Sequence, residues 1–230
     1  MTTRARATLD RELSKLQDGL LRLAEMVDAA IARSLQALSS RDVVLAREVV
    51  DGDQAVNALR FAIEEECLSL IATQQPAAGD LRAVLAAMNI VSDMERMADH
   101  AAGNARIVLR MGDEPLLKPL IDIPRMAETC RGMLRRALDS YVARDIELAK
   151  AVAREDDLLD NLHNQIFREL LSFMVEDPGT TTRALYLLFT AHNLERIGDR
   201  VTNIAERVIF MASGELRELN PEPHENSDLQ

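Results

Sequence analysis

Four carboxylates in this chain stand at a spacing that invites chemistry. Glu95 and Asp99 are four residues apart in DMERMAD, and Glu195 and Asp199 repeat that spacing in NLERIGD. On a helix, residues i and i+4 lie one above the other on one face, so each pair brings two negative charges together. Helix stability does not select such a pair. A cation held between the carboxylates removes the repulsion, and all-oxygen ligation suits hard ions such as Mg²⁺, Mn²⁺, Ca²⁺ or iron better than zinc. The bland alternative is a solvated face, or ion pairs with arginines. Arg96 and Arg196 stand next to the acids, but they point about 100° away around a helix.

Weaker candidates surround these four. Asp53 and Asp156 occupy matching places further up the chain, as do Asn57 and Asp160. They can close a metal cluster from a neighbouring helix or be surface positions, and the surface reading is the favoured one. Asp93 and Asn193 precede the two motifs, and Asn203 extends the second by one turn where Gly103, with Asn104 beside it, takes its place in the first. His192 lies three residues before Glu195, and Asp160 three before His163. That spacing resembles the Glu-x-x-His ligands of di-iron bundles, which keeps a redox-active bundle as an alternative. The first motif has Ser92 in place of His192, and His100 is replaced by Arg200, so helix-surface histidines are the simpler reading. No GxSxG, Walker glycine loop, GxGxxG or HExxH occurs, and the expectation is a non-enzyme.

Helices must carry these residues. Leu13, Leu16, Leu20, Leu23, Val27, Ile31, Leu35 and Leu38 recur at steps of three and four, which predicts a helix from about Leu9 to Ser39. A second is predicted from an Asp42 N-cap to about Thr73, and a third from about Ala77 to Met111, ending at Gly112. The Pro-bearing link GDEPLLKPLIDIP then separates two units. A fourth helix is predicted from about Pro124 to Ala143, a fifth from Asp145 to about Glu176, and a sixth from about Thr180 to Ser213. Residues 215–230 read as a disordered polar tail.

The second half repeats the first. At an offset of 103, RDVVLAREVV (41–50) lies over RDIELAKAVA (144–153), and Asp53, Leu59 and Ile63 meet Asp156, Leu162 and Ile166. The offset slips to 102 at Pro76 and Pro178 and settles at 100 over the two acidic motifs. Such register predicts an all-α fold of two tandem, pseudo-symmetric three-helix bundles, at 8–112 and 120–214.

Composition sets bounds. Net charge is −11 and no basic patch stands out, which argues against nucleic-acid binding. Cys67 and Cys130 lack a CxxC spacing and read as small apolar core residues. The ten methionines read as core filling. No stretch approaches the roughly 18 apolar residues of a membrane span. The N-terminus has no signal peptide, so a cytoplasmic protein is expected, peripheral to the inner membrane only through partners.

The segments SLIATQQPAAGDLRAVLAAMNIVSDMERMADHA and IFRELLSFMVEDPGTTTRALYLLFTAHNLERIGDRVTNIAERVIFMASGE resemble the two repeats of the PhoU family. The resemblance spans about residues 8–215. It implies a negative regulator of the phosphate-starvation response and of phosphate uptake. The expected partners are the phosphate ABC transporter ATPase and a sensor histidine kinase. It also implies metal, as iron or zinc clusters, at Glu95, Asp99, Glu195 and Asp199, with manganese or magnesium as further choices. Asp93 matches the family's preceding acid and Asn203 its asparagine. Gly103 and Arg200 depart from the family's pattern, which speaks against full, symmetric metal occupancy. Exposed apolar faces of such bundles pair, so a homodimer is expected.

Overall fold

The computed structural model describes residues 3–216, 218 and 219. It contains seven α-helices in order: α1 Thr3–Ser40, α2 Val43–Gln74, α3 Gly79–Met111, α4 Asp122–Ala143, α5 Ile146–Ala153, α6 Asp156–Glu176 and α7 Thr181–Ser213, with a single 3₁₀ turn at Pro178–Thr180 before α7. Among the described residues there is no strand. Among the described residues no helix is long and apolar enough to cross a membrane. Of the expected tail, residues 217 and 220–230 lie outside the described residues.

Local chemistry sets the boundaries. Asp42 accepts hydrogen bonds from the amides of Val44 and Leu45, both at 2.9 Å. Asp145 does the same for Glu147 and Leu148 at 3.0 Å. Each cap satisfies amides that the first helical turn leaves without partners, and losing one costs about 1 kcal/mol. Gly214 ends α7 in the left-handed region at φ 82°, which a glycine adopts without a Cβ clash.

The leucine stripe of α1 is buried as its spacing requires, with Leu16, Leu20, Leu23, Val27, Ile31 and Leu38 at most a few per cent exposed. Both cysteines are buried and unpaired. Met94, Met97, Met126 and Met133 are fully enclosed, filling the core as expected. Helices α1, α2 and α3 pack on one another, and α4, α5 and α6 pack around α7. The most extensive contact joins the halves, α3 against α7. Five helices therefore form one layer, in the order α2, α3, α7 and then α5 and α6 end to end, with α1 and α4 behind it.

One element departs from the expected pattern. The fifth helix is two pieces, α5 and α6, joined through Arg154 and Glu155. Both keep near-helical angles (φ −67°, ψ −17° and φ −77°, ψ −13°), so the rod tightens locally without unwinding. The Glu155 amide bonds the Val152 carbonyl at 3.0 Å, an i→i−3 link in place of i→i−4. The matching stretch of α2, around Gly52, is continuous.

Candidate functional site

Each half places its acids in a groove between two antiparallel helices on the layer's outer face. In the first half, Asp53 and Asn57 come from α2, and Glu95 and Asp99 from α3. Asn57 donates to Asp53 at 3.3 Å. The Arg60 guanidinium reaches Glu95 at 3.7 Å and Glu64 at 3.0 Å. Asp53 Oδ1 is buried with no hydrogen-bond partner, beside a pocket of about 260 Å³ lined by Met26, Ala30, Arg33, Val49 and Val56.

In the second half, Asp156, Asp160 and His163 come from α6, and His192, Glu195 and Asp199 from α7. The His163 and His192 rings lie 6.1 Å apart, and His192 Nδ1 is 3.6 Å from Glu195. Arg196 bridges its own helix, 3.4 Å from Glu195 and 3.1 Å from Asp199. Asp156, favoured as a surface residue by the sequence, is only 3% exposed. Its burial follows from Gly198: a Cβ there would stand 2.4 Å from Leu159 Cδ1 and 3.0 Å from Asp156 Oδ1. The missing side chain lets α6 settle onto α7 and carries Asp156 inward.

Electrostatics differ accordingly. Burial, then the Asp99 charge, raises the Glu95 carboxyl, and Arg60 pulls it back. Burial, then Asp99, also raises Asp53. Glu195 is pushed up to about 7 by burial and then by Asp199, with Asp160 and Asp156 adding to it and Arg196 opposing. Asp160 is raised by burial and Asp199. His163 is lowered by burial and then by His192, both of which disfavour the charged ring.

Asp93 and Asn203 are not in either groove. They meet each other at the α3–α7 seam, where Asn203 donates to Asp93 at 3.2 Å and Arg200 lies 3.5 Å from it. The seam repeats this contact about a pseudo-two-fold axis. Asn193 donates to Asn104 at 2.9 Å and pairs with His100 at 3.3 Å. Gly103 faces Asn193, and a Cβ on it would come within 3.1 Å of the Asn193 amide nitrogen. The residues at these matching places therefore hold the halves together.

Sequence reasoning missed Arg60 as a site residue. The offset of 103 that aligns Asp53 with Asp156 also aligns Arg60 with His163, so the signal was present. The pairing marks where the two grooves differ: the first has an arginine on α2 facing Glu95, and the second has an imidazole at the matching place on α6, its arginine, Arg196, standing on α7.

The donor chemistry of both grooves suits divalent cations. The geometry does not close around one. Among the described residues no group of three or more His, Cys, Asp or Glu side chains is placed to hold a metal ion. Arginine nitrogens stand where a cation's charge would act, at Glu95 in one groove and at Glu195 and Asp199 in the other.

Comparison with known proteins gives consistent results. A family model, PhoU domain, matches residues 20–108 and again 123–208. A phosphate-specific transport system accessory protein PhoU homolog from Aquifex aeolicus is 38% identical over 208 residues, covering 90% of this chain and 94% of the relative. One from Caulobacter vibrioides is 38% identical over 217 residues, covering 94% of each. The crystal structure of the phosphate transport system regulatory protein PhoU from Streptococcus pneumoniae superposes with a TM-score of 0.85 at 30% identity, covering 91% of this chain and 99% of that one. PhoU from Pseudomonas aeruginosa gives a TM-score of 0.85 at 32% identity, over 90% of this chain and 99% of the other.

Proposed function

The chain belongs to the PhoU domain family, and from that membership we propose that it is a negative regulator of the phosphate-starvation response and of phosphate uptake, working by contact alone. It acts as an adaptor between a phosphate ABC transporter, through its ATPase, and a sensor histidine kinase. The observation that carries this reading is the doubled family match, which covers both halves in relatives named for the phosphate transport system. The acidic outer face supports it, since a surface of this sign favours Lys- and Arg-rich partner elements and speeds their encounter. Binding would shift the partner between its active and inactive states. The protein works in the cytoplasm, as a homodimer, and reaches the membrane through those partners.

The decisive experiment deletes the gene, together with any paralogue, and measures phosphate-starvation gene expression in high phosphate. Derepression is expected. Unchanged expression overturns the adaptor reading.

Cation binding is a separate proposal, in which the grooves take Mg²⁺, Mn²⁺, iron or zinc through Glu95 and Asp99 or Glu195 and Asp199 once the arginines swing away. Isothermal titration with each metal chloride tests it. Saturable heat that disappears in Glu195→Gln/Asp199→Asn and in Glu95→Gln/Asp99→Asn supports it, and its absence in the parent chain ends it.

A further inference from the structure

The second half exposes a continuous row of large apolar side chains that the first half interrupts. Phe167, Leu171 and Val175 recur every four residues on α6, and Leu185 and Phe189 do so on α7. Phe167 is 46% exposed and Phe189 55%. The two rows are neighbours. The helices run antiparallel, with Leu159 against Gly198 and His163 beside His192. One further turn along each helix brings Phe167 level with Phe189, and the next brings Leu171 level with Leu185. The result is one apolar strip over two helices. It runs directly into the imidazole pair and then into the carboxylates of Asp160 and Glu195.

The fold does not need the whole of this strip. The first half exposes Leu68 and Leu85 at the places of Leu171 and Leu185. It has Glu64 where the second half has Phe167, and Asn89 where it has Phe189. Its own exposed ring, Phe61, lies under the Arg60 guanidinium, 4.9 Å from the ring centroid. Polar residues serve the same helix pair equally well, so packing within the chain does not account for the two phenylalanines. Contiguous exposed apolar surface of this kind marks a contact site.

We propose that this strip docks an amphipathic basic helix, whose apolar side chains at i, i+3/i+4 and i+7 seat on Phe167, Leu171 and Phe189 and whose Lys or Arg residues, one to two turns on, meet Asp160 and Glu195. The inference rests on the adaptor reading and names the surface and the partner chemistry for it. Charge complementarity selects this occupant. The carboxylate end of the strip has Arg196 as its cation, and that residue is already held by Glu195 and Asp199. A second copy of this chain would bring a second set of these carboxylates, in a protein whose net charge is −11. A helix in a groove is an established way to read such a pattern of anchors.

The test uses the full chain and two fluorescein-labelled helical peptides of equal length. One carries a leucine face flanked by lysines, and the other the same leucine face flanked by glutamates. The Leu–Lys peptide is expected to bind and the Leu–Glu peptide to bind at least tenfold more weakly. Phe167→Glu/Phe189→Asn, which installs the first half's residues, is expected to weaken Leu–Lys binding at least tenfold while circular dichroism and melting stay as in the parent. Glu64→Ala/Asn89→Ala on the first half is expected to leave binding unchanged. Equal binding of both peptides overturns the proposal, as does full Leu–Lys binding by the phenylalanine variant. Concentration-dependent self-association that the same variant abolishes also overturns it, because the occupant is then a second copy. If that variant fails to fold, the parent's proton–deuterium exchange with and without Leu–Lys peptide decides. Protection confined to α6 and α7 around the strip supports the site, and protection elsewhere overturns it. Failure here leaves gene deletion derepressing phosphate genes, whereas failure of the adaptor reading leaves those genes unchanged.

Discussion

Both grooves hold an arginine against their carboxylates, but only the first takes one from the facing helix. Arg60 projects from α2 onto Glu95, so the first half offsets part of its own carboxylate repulsion. His163 stands at the matching place on α6, where burial lowers it, and Glu195 is pushed up to about 7. Two copies of one design have thus divided their labour. In one, an arginine from the facing helix opposes part of the repulsion, although Asp53 and Glu95 are still raised. The other combines the carboxyl pushed up to about 7, Glu195, with tight helix contact and an uninterrupted apolar strip within a few turns of one another. A raised carboxyl beside exposed apolar surface is a pattern found at binding faces.

The largest expected effect breaks the close approach of α6 and α7. Gly198→Ala pushes a methyl into Leu159 and should destabilise the protein by about 1–3 kcal/mol, the usual range for overpacking a core. The first half holds Ala98 and Val56 at the equivalent places. Adding Leu159→Val should therefore restore most of the loss. Urea denaturation of the single and double variants measures both, and a double variant no more stable than Gly198→Ala would show that the halves pack by different rules.

A second, comparable effect concerns pH. A carboxyl raised in the folded state binds its proton more tightly there than in the unfolded chain. Glu195 therefore lowers stability as pH climbs from its ordinary range near 4.5 to about 7, and the loss is complete above that. Depressed His163 and His100 act oppositely below pH 6.5, so the difference between variants is the clean readout. A tenfold change in proton affinity is worth roughly 1.4 kcal/mol, and partial exposure of the carboxyl reduces what is felt. Glu195→Gln should accordingly gain about 1–2 kcal/mol at pH 8 and little at pH 4.5. Melting curves at both pH values check it. An equal gain at both would mean that packing, not charge, is responsible.

The smallest effect sharpens the comparison directly. His163→Arg gives the second groove the first groove's cation. It should draw the Glu195 carboxyl back toward its usual range and add about 0.5–1 kcal/mol at pH 8, typical of a partly exposed ion pair. NMR titration of the Glu195 side-chain carboxyl would follow the change. An unmoved titration would show that burial alone sets it.

Much of this architecture was legible in the residues. The stripe from Leu13 to Leu38 announced α1, Asp42 and Asp145 announced two helix starts, and the sliding offset announced the duplication. The break at Arg154 was not legible, because no glycine or proline marks it and its residues form helix readily. Asp93 was legible and misplaced: two residues before Glu95 is about 200° around the helix, which turns it to the seam. Asn203 shares the stripe of Asp199, and only the neighbouring helix determines which partner it finds. Asp156 looked like a surface acid because its burial depends on a missing side chain far along the chain, at Gly198.

The seam between α3 and α7 also encodes which half recognises which. Asp93 is answered by Asn203 and Arg200, both from the other copy. Two first halves face to face would set each aspartate against Gly103 and His100, without the amide or guanidinium it now has. Two second halves would confront arginine with arginine across the same axis. Matching scaffolds are in this way made complementary, and severed halves should sort into unlike pairs.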